Sequence, residues 1–177
     1  MLRSQAAIAL SFFLGFIIVG CGSPTASSDA GNSMPASETP PSANIAASGE
    51  AFAQVTAVTT TPQNKTEYTF AVTIESPDTG CEQYANWWEV ISEEGELLYR
   101  RILAHSHVNE QPFERSGGPV VIAPDQTVIV RAHMYPGGYG TQAMQGSPDS
   151  GFQATTLATD FATALADADP QPNDCTF

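Results

Sequence analysis

Basic side chains are scarce in this 177-residue chain, which has six Lys and Arg residues against 19 Asp and Glu residues. The formal net charge is −13 at neutral pH. A surface this acidic repels the phosphates of nucleic acids, so we expect no nucleic-acid partner. The same charge argues against adhesion of the folded part to anionic lipid surfaces.

The local signatures of common enzyme classes are also missing. The chain contains no Gly-x-Ser-x-Gly elbow, no Ser-x-x-Lys pair, no phosphate-binding loop and no His-Glu-x-x-His motif. Carboxylates are plentiful, but nothing in their spacing marks one pair for acid–base work. We therefore predict a protein that is not an enzyme and that has no resident cofactor.

Long hydrophobic runs are confined to the N-terminus, where residues 6–20 follow a single basic residue, Arg3. A membrane-spanning helix needs about 20 predominantly apolar residues, and this run is shorter. Its length and its basic flank are typical of the core of a secretory signal peptide. The run closes on a cysteine, Cys21.

The sequence Ile18-Val19-Gly20-Cys21 resembles the lipobox of bacterial lipoproteins, with Ile18 where that motif usually has Leu. The resemblance implies cleavage before Cys21 and a lipid on its thiol and amino group. It implies a domain held at the membrane, outside the cytoplasm, in a bacterial cell envelope. Gly22 in place of Asp favours the outer over the inner membrane. The alternative is an uncleaved signal anchor that contains Cys21 by chance.

Residues 22–48 are rich in Ser and Pro and contain no aromatic or basic residue. Such a segment cannot bury enough apolar surface to fold, so we interpret it as a disordered tether. The predicted organisation is a signal peptide over 1–20, lipidated Cys21 and tether over 21–48, and one folded domain over 49–177.

Cysteine is almost absent, with three residues in the whole chain. If Cys21 carries lipid, Cys81 and Cys175 remain as an even pair in an oxidising compartment, and we predict a disulfide between them. A loop of this length would restrict the unfolded state by about 4–5 kcal/mol in the chain-entropy model. The alternatives are two buried free thiols, or pairing with another chain.

Alternating apolar and polar residues predict an all-β fold. Residues 67–75 place Tyr68, Phe70, Val72 and Ile74 on one side, as in a half-buried strand. Short strands at even spacing with turn signals between them resemble an immunoglobulin-like or fibronectin-like β-sandwich. The predicted strands cover residues 51–60, 67–75, 84–91, 97–104, 120–122 and 127–134.

Two local features refine that prediction. Residues 120–122 and 127–134 are expected to form a hairpin around a turn with Pro124 at its second position. Asp160 could cap one short C-terminal helix that ends before Pro170.

The adjacent residues Trp87 and Trp88 point to opposite faces of their strand, so one of them belongs to the core. The other is either exposed, where it could stack on a sugar or a partner protein, or covered by a loop. Burial of both is the favoured outcome.

Histidine is as rare as cysteine, and all three histidines lie between residues 105 and 133. On a strand His105 and His107 would point the same way, which suits zinc or copper, and His133 could supply a third imidazole. Further candidate ligands are the carboxylates Glu89 and Glu110 and the thioethers Met134 and Met144.

Two other interpretations of this basic region stay open. In the first, Arg100, Arg101, Arg115 and Arg131 pair with Glu89, Glu110 and Glu114 in an ordinary ion-pair network. In the second, arginines and a histidine form a pocket for a small anionic ligand. The sequence thus predicts a cell-envelope lipoprotein that binds an envelope protein or a small ligand, or has a structural role. The alternative is a metal-binding protein that uses His105, His107 and His133 for copper or zinc.

Overall fold

The computed structural model describes residues 52–176. The predicted signal peptide, Cys21 and the tether lie outside these residues. In the described part of the chain, nine strands are followed by a short 3₁₀ helix over Thr163–Asp167. The strands are β1 (Gln54–Pro62), β2 (Glu67–Glu75), β3 (Tyr84–Ser92), β4 (Leu97–Ile102), β5 (Phe113–Val121), β6 (Val128–Tyr135), β7 (Gly138–Tyr139), β8 (Gln142–Ser147) and β9 (Gly151–Thr156). Residues 52–176 include no helix long and apolar enough to cross a membrane.

The strands form two antiparallel sheets, which confirms the predicted all-β sandwich. The first sheet has the order β1-β2-β5, and the second has the order β4-β3-β6-β8-β9, with β7 paired to β6. The β3–β4 hairpin turns at Gly95, whose φ of 87° favours glycine. The expected hairpin over residues 120–134 is wrong, because β5 pairs with β2 while β6 pairs with β3. The tight turn at residues 123–126 instead carries the chain from one sheet to the other.

The main core lies between the sheets and follows the alternation read from the sequence. Phe70, Val72 and Ile74 of β2 are fully buried, and they belong to one cluster with Trp88 of β3 and Val130 of β6. Burial of this apolar surface is the main force that holds the sheets together. Because both faces of β3 are covered, every residue of that strand is buried.

The outer face of the second sheet is covered by residues 157–176, which we call the C-terminal segment. Leu157, Phe161 and Leu165 pack against a second apolar cluster that includes Ile91 and Ile129. The predicted C-terminal helix is present as the 3₁₀ helix, but Asp160 does not cap it. The helix begins after Ala162, which has a left-handed backbone conformation with a φ of 48°. No side chain donates or accepts a capping hydrogen bond at this end of the helix.

The end of the C-terminal segment is attached covalently. Cys81 and Cys175, the pair left by the cysteine count, form a disulfide with their Cα atoms 5.6 Å apart. Next to it, the backbone N–H of Thr176 donates to the carbonyl of Ala104 over 2.8 Å. The last described residues are therefore tied to two separate loops of the sandwich.

Candidate functional site

A buried carboxylate lies at the centre of the second sheet. Glu89 of β3 is directly opposite Arg100 of β4 and Arg131 of β6. Its Oε2 accepts from Arg100 Nη2 over 2.7 Å, and its Oε1 accepts from Arg131 Nε over 2.9 Å. All three side chains are almost completely removed from solvent. The structure thus contains part of the predicted ion-pair network, although within residues 52–176 neither Arg101 nor Glu114 forms an ion pair.

The remaining guanidinium donors of this network hold the C-terminal segment. Arg100 donates to three main-chain carbonyls and Arg131 donates to two. The accepting residues are Leu165, Ala168 and Pro170 for Arg100, and Phe161 and Ala162 for Arg131. Because these donors are already used, Arg100 and Arg131 do not form the pocket for a small anionic ligand that the sequence suggested.

Arg115 belongs to a different environment. It pairs with Glu110 over 2.6 Å, and the Glu110 side chain is more than half exposed. The guanidinium of Arg115 lowers the pKa of Glu110 through a hydrogen bond and its charge. An exposed pair of this kind contributes little to stability. The exposed Arg115–Glu110 pair can therefore be compared with the buried ion pairs of Glu89 to separate the effect of burial from that of charge.

His105 and His107 lie near one another, but not on a strand. Because β4 ends at Ile102, both residues belong to the loop before β5, and the parity argument for a strand does not apply. Their ring centroids are 4.5 Å apart, and the buried His107 ring stacks on Phe113. Burial, followed by the charge of Arg115, lowers the pKa of His107 to about 4.

Asp78 organises the loop that contains His107. Its carboxylate accepts from the backbone N–H groups of Ala85 and His107 and from the hydroxyls of Ser76 and Ser106. The His107 ring nitrogens make no hydrogen bond with the rest of the described chain. Asp78 therefore positions this loop through the backbone N–H of His107 and the hydroxyl of Ser106, and not through the imidazole.

His133 lies elsewhere, on β6, directly opposite Trp87. The two rings are stacked at 3.8 Å with an interplanar angle of 9°. His133 Nδ1 is 2.7 Å from Asn86 Oδ1, so Nδ1–H donates and Nε2 is left as an acceptor. In the described range, no group of three or more His, Cys, Asp or Glu side chains is arranged to hold a metal ion. The structure therefore does not bring His133 together with His105 and His107.

Neither tryptophan offers a free ring face. Trp88 is part of the core between the sheets. Trp87 is 2% exposed, with His133 stacked on its ring and the Arg100 guanidinium carbon 4.4 Å from its ring centroid. This is the outcome that the sequence favoured, in which both are buried and one lies under another part of the chain.

A cavity of about 460 Å³ lies between the second sheet and the end of the C-terminal segment. Side chains of β3 and β6 form its floor: Tyr84, Asn86, Trp87, His133 and Tyr135. Gln171, Asn173, Asp174 and the Cys81–Cys175 disulfide form its wall. Its volume is in the range of small-ligand sites.

A β-bulge explains why neighbouring residues reach this cavity. The pairing of β3 with β6 shifts register between Ala85 and Trp87, and a bulge of this kind changes the direction of a side chain. Asn86 and Trp87 consequently both line the cavity. Strand periodicity alone would have assigned them to opposite faces of the sheet.

The cavity presents polar side chains but no basic one. Burial, followed by the charges of Arg100 and Arg131, lowers the pKa of His133 to about 4, so its imidazole is neutral near pH 7. Burial also raises the pKa of Tyr84. The lining contains one carboxylate, Asp174, and no Lys or Arg residue. This arrangement can bind hydrogen-bonding groups but has no cation to neutralise an anion.

Acidification to about pH 5 is expected to weaken the domain through His133. Its pKa is about 4 when folded against an ordinary 6.5, so the unfolded state binds more protons between these values. The contribution of the neutral His133 imidazole to the free energy of unfolding is present in full above about pH 6.5, and it is lost as the pH falls toward 4. We expect His133→Gln to reduce the loss of unfolding free energy between about pH 7.5 and pH 5, measured with urea, by about 2 kcal/mol.

The control for this measurement is Val121→Ala, an exposed substitution that removes no titrating group. It should leave the difference between the two pH values as it is in the wild type. An unchanged pH dependence in His133→Gln would show that the buried imidazole does not resist protonation.

Comparison with known proteins gives one informative similarity. Over 82 residues the chain is 42% identical to a protein named "Putative lipoprotein" from Halomicrobium mukohataei. The alignment covers 46% of this chain and 40% of that protein, so the chain spans less than half the length of this relative. No family model matches the chain, and no solved structure matches it.

Proposed function

We propose that this chain is a lipid-anchored lipoprotein of the cell envelope whose β-sandwich binds a small ligand without catalysis. The observation that carries the binding role is the cavity between the second sheet and the C-terminal segment. Polar side chains from three separate parts of the chain converge there, as in small-molecule sites.

The anchoring part of the proposal is supported by the N-terminal sequence and by the name of the relative. Residues 1–20 would be removed, and Cys21 would carry the lipid. Three acyl chains exceed the two membrane signals that stable anchoring requires. The tether would hold the domain about 25–30 Å from the membrane on average. Where the cell has two membranes, Gly22 favours the outer one.

A non-catalytic role agrees with the chemistry around His133. Its Nδ1 donates to the side-chain amide of Asn86, which is not a proton acceptor of useful basicity. Its lowered pKa also makes the imidazole a weak base. A general base normally needs a pKa near the working pH, so we assign His133 to ligand binding.

Lipidation can be tested with the full-length chain and a Cys21→Ser variant in a host that processes lipoproteins. The wild-type chain should enter the detergent phase on Triton X-114 partitioning, with an N-terminal peptide whose mass shows cleavage before Cys21 and added acyl groups. The variant cannot receive the lipid and should lose that added mass. A wild-type chain that retains residues 1–20, and partitions like the variant, would mean an uncleaved signal anchor and would overturn the proposal.

A further inference from the structure

We infer that the cavity beneath the C-terminal segment binds a neutral, hydroxyl-rich ring, of the class to which monosaccharide units belong. The inference rests on the proposed function and adds the chemical class of the ligand. It follows from the charge of the cavity, its hydrogen-bonding groups and its exposed aromatic side chain.

Charge excludes an anionic ligand. Arg100 and Arg131 act on His133 through their charge, but both are held by Glu89 and by carbonyls of the C-terminal segment. The cavity itself presents Asp174 and no Lys or Arg residue. The chain as a whole carries a formal charge of −13, which adds to the repulsion of an anion.

The hydrogen-bonding groups separate a hydroxylated ligand from an organic cation. Asn86 uses Oδ1 for His133, which leaves the two Nδ2 donors for the cavity. Gln171 uses Nε2 for the carbonyls of Ala166 and Ala168, which leaves Oε1 as an acceptor. His133 Nε2 is a further acceptor.

A ligand for this site must therefore both donate and accept. An ammonium group only donates, so it would leave the Asn86 donors without a partner, at the cost of their desolvation. A hydroxyl group does both, and adjacent hydroxyls match the two-sided amide of Asn173 and the two oxygens of Asp174 at the wall.

Tyr135 supplies a ring surface at this site. It is 47% exposed, one of three large hydrophobic side chains that the described residues leave in solvent. Its ring centroid is 6.2 Å from that of Tyr84, and the two planes are inclined by 57°. An exposed aromatic ring beside polar groups suits a ligand with one apolar face and a hydroxylated rim, as a sugar ring has.

The inference can be tested by titrating the full chain, purified in detergent, with matched neutral and charged sugars. The neutral probes are glucose, galactose, mannose and N-acetylglucosamine, and the charged probes are glucuronate and glucosamine. Binding is followed by calorimetry and by NMR signals of the His133 imidazole and the Trp87 indole. We expect at least one neutral sugar to bind with a Kd of about 1 mM or tighter, and glucuronate to bind at least tenfold more weakly.

Two variants connect the binding to this cavity. Tyr135→Ala should weaken the binding of the neutral sugar by about tenfold, because it removes the ring surface. Val121→Ala alters an exposed apolar residue on the other sheet, 64% in solvent against 47% for Tyr135, and should leave the affinity unchanged. Equal effects of the two variants would place the binding outside the cavity and overturn the inference.

Other results separate the ligand class from the proposed function. If glucosamine binds and moves the His133 signal while the neutral sugars do not, the ligand is an organic cation. In that case the inference fails and the binding role stands. If neither the sugars nor a set of small uncharged fragments moves the His133 and Trp87 signals, the cavity is not a binding site. The binding part of the proposed function then fails together with the inference.

Discussion

Glu89→Gln is expected to remove about 3–5 kcal/mol from the free energy of unfolding. Glu89 is fully buried and is hydrogen-bonded to both Arg100 and Arg131. The substitution leaves two guanidinium groups in the interior without a negative partner. Uncompensated buried charge is the reason for the large cost.

The measurement is urea unfolding of the wild type and of two matched variants. Glu110→Gln removes the carboxylate of the exposed pair with Arg115, and it should cost much less stability than Glu89→Gln. If Glu89→Gln does not fold well enough for urea titration, hydrogen exchange at residues 157–170 can be measured instead. We expect faster exchange there, because Arg100 and Arg131 hold that part of the C-terminal segment. Equal stability of the two Gln variants would contradict the assigned role of Glu89.

Cys175→Ser is expected to cost about 4–5 kcal/mol through the unfolded state. The disulfide joins residues separated by 94 positions, so its loss frees a long loop in the denatured chain. In the folded state, the residues after Pro170 would keep the main-chain contact of Thr176 with Ala104 but lose their covalent link. We therefore also expect earlier proteolysis within residues 171–176.

Reduction of the wild-type disulfide provides an independent check. Wild-type protein unfolded in urea with a thiol reductant should match Cys175→Ser unfolded without it, and Cys81→Ser should match both. Cys21→Ser, which alters a cysteine outside the pair, should unfold like the wild type in the absence of lipid. A loss below about 1 kcal/mol in Cys175→Ser would mean that the loop is already restricted in the unfolded chain.

Alternation of apolar and polar residues predicted a strand most clearly where one face is fully buried and the other is only partly buried. Residues 67–75 are the clearest example, since burial alternates along β2 as their apolar pattern predicts. β5 was predicted only at its end. The preceding part of the strand contains Gly117, Gly118 and Pro119, which disfavour a strand except at the edge of a sheet, where β5 lies. The β8–β9 hairpin was missed because β8 contains no β-branched or aromatic residue, so β9 had no recognisable partner strand before it.

The site was less predictable than the fold for a different reason. The ion pairs of Glu89 could be proposed from residue types, but the position of the C-terminal segment could not. Arg100 and Arg131 hold that segment through backbone carbonyls, which every residue has and which the sequence therefore does not reveal. The cavity beneath it combines residues from β3, β6 and the C-terminal segment, so it exists only after they have packed together.

The network around Glu89 also has a consequence for the order in which the molecule is completed. During synthesis Arg100 and Arg131 emerge 30 to 70 residues before the carbonyls that accept their hydrogen bonds. The N-terminal strands can begin to fold first, as nascent chains generally do. A chain interrupted before residue 161 would nevertheless display two guanidinium groups that lack five of their hydrogen-bond acceptors. An unfinished copy would therefore expose a cationic face that the C-terminal segment covers in the finished copy.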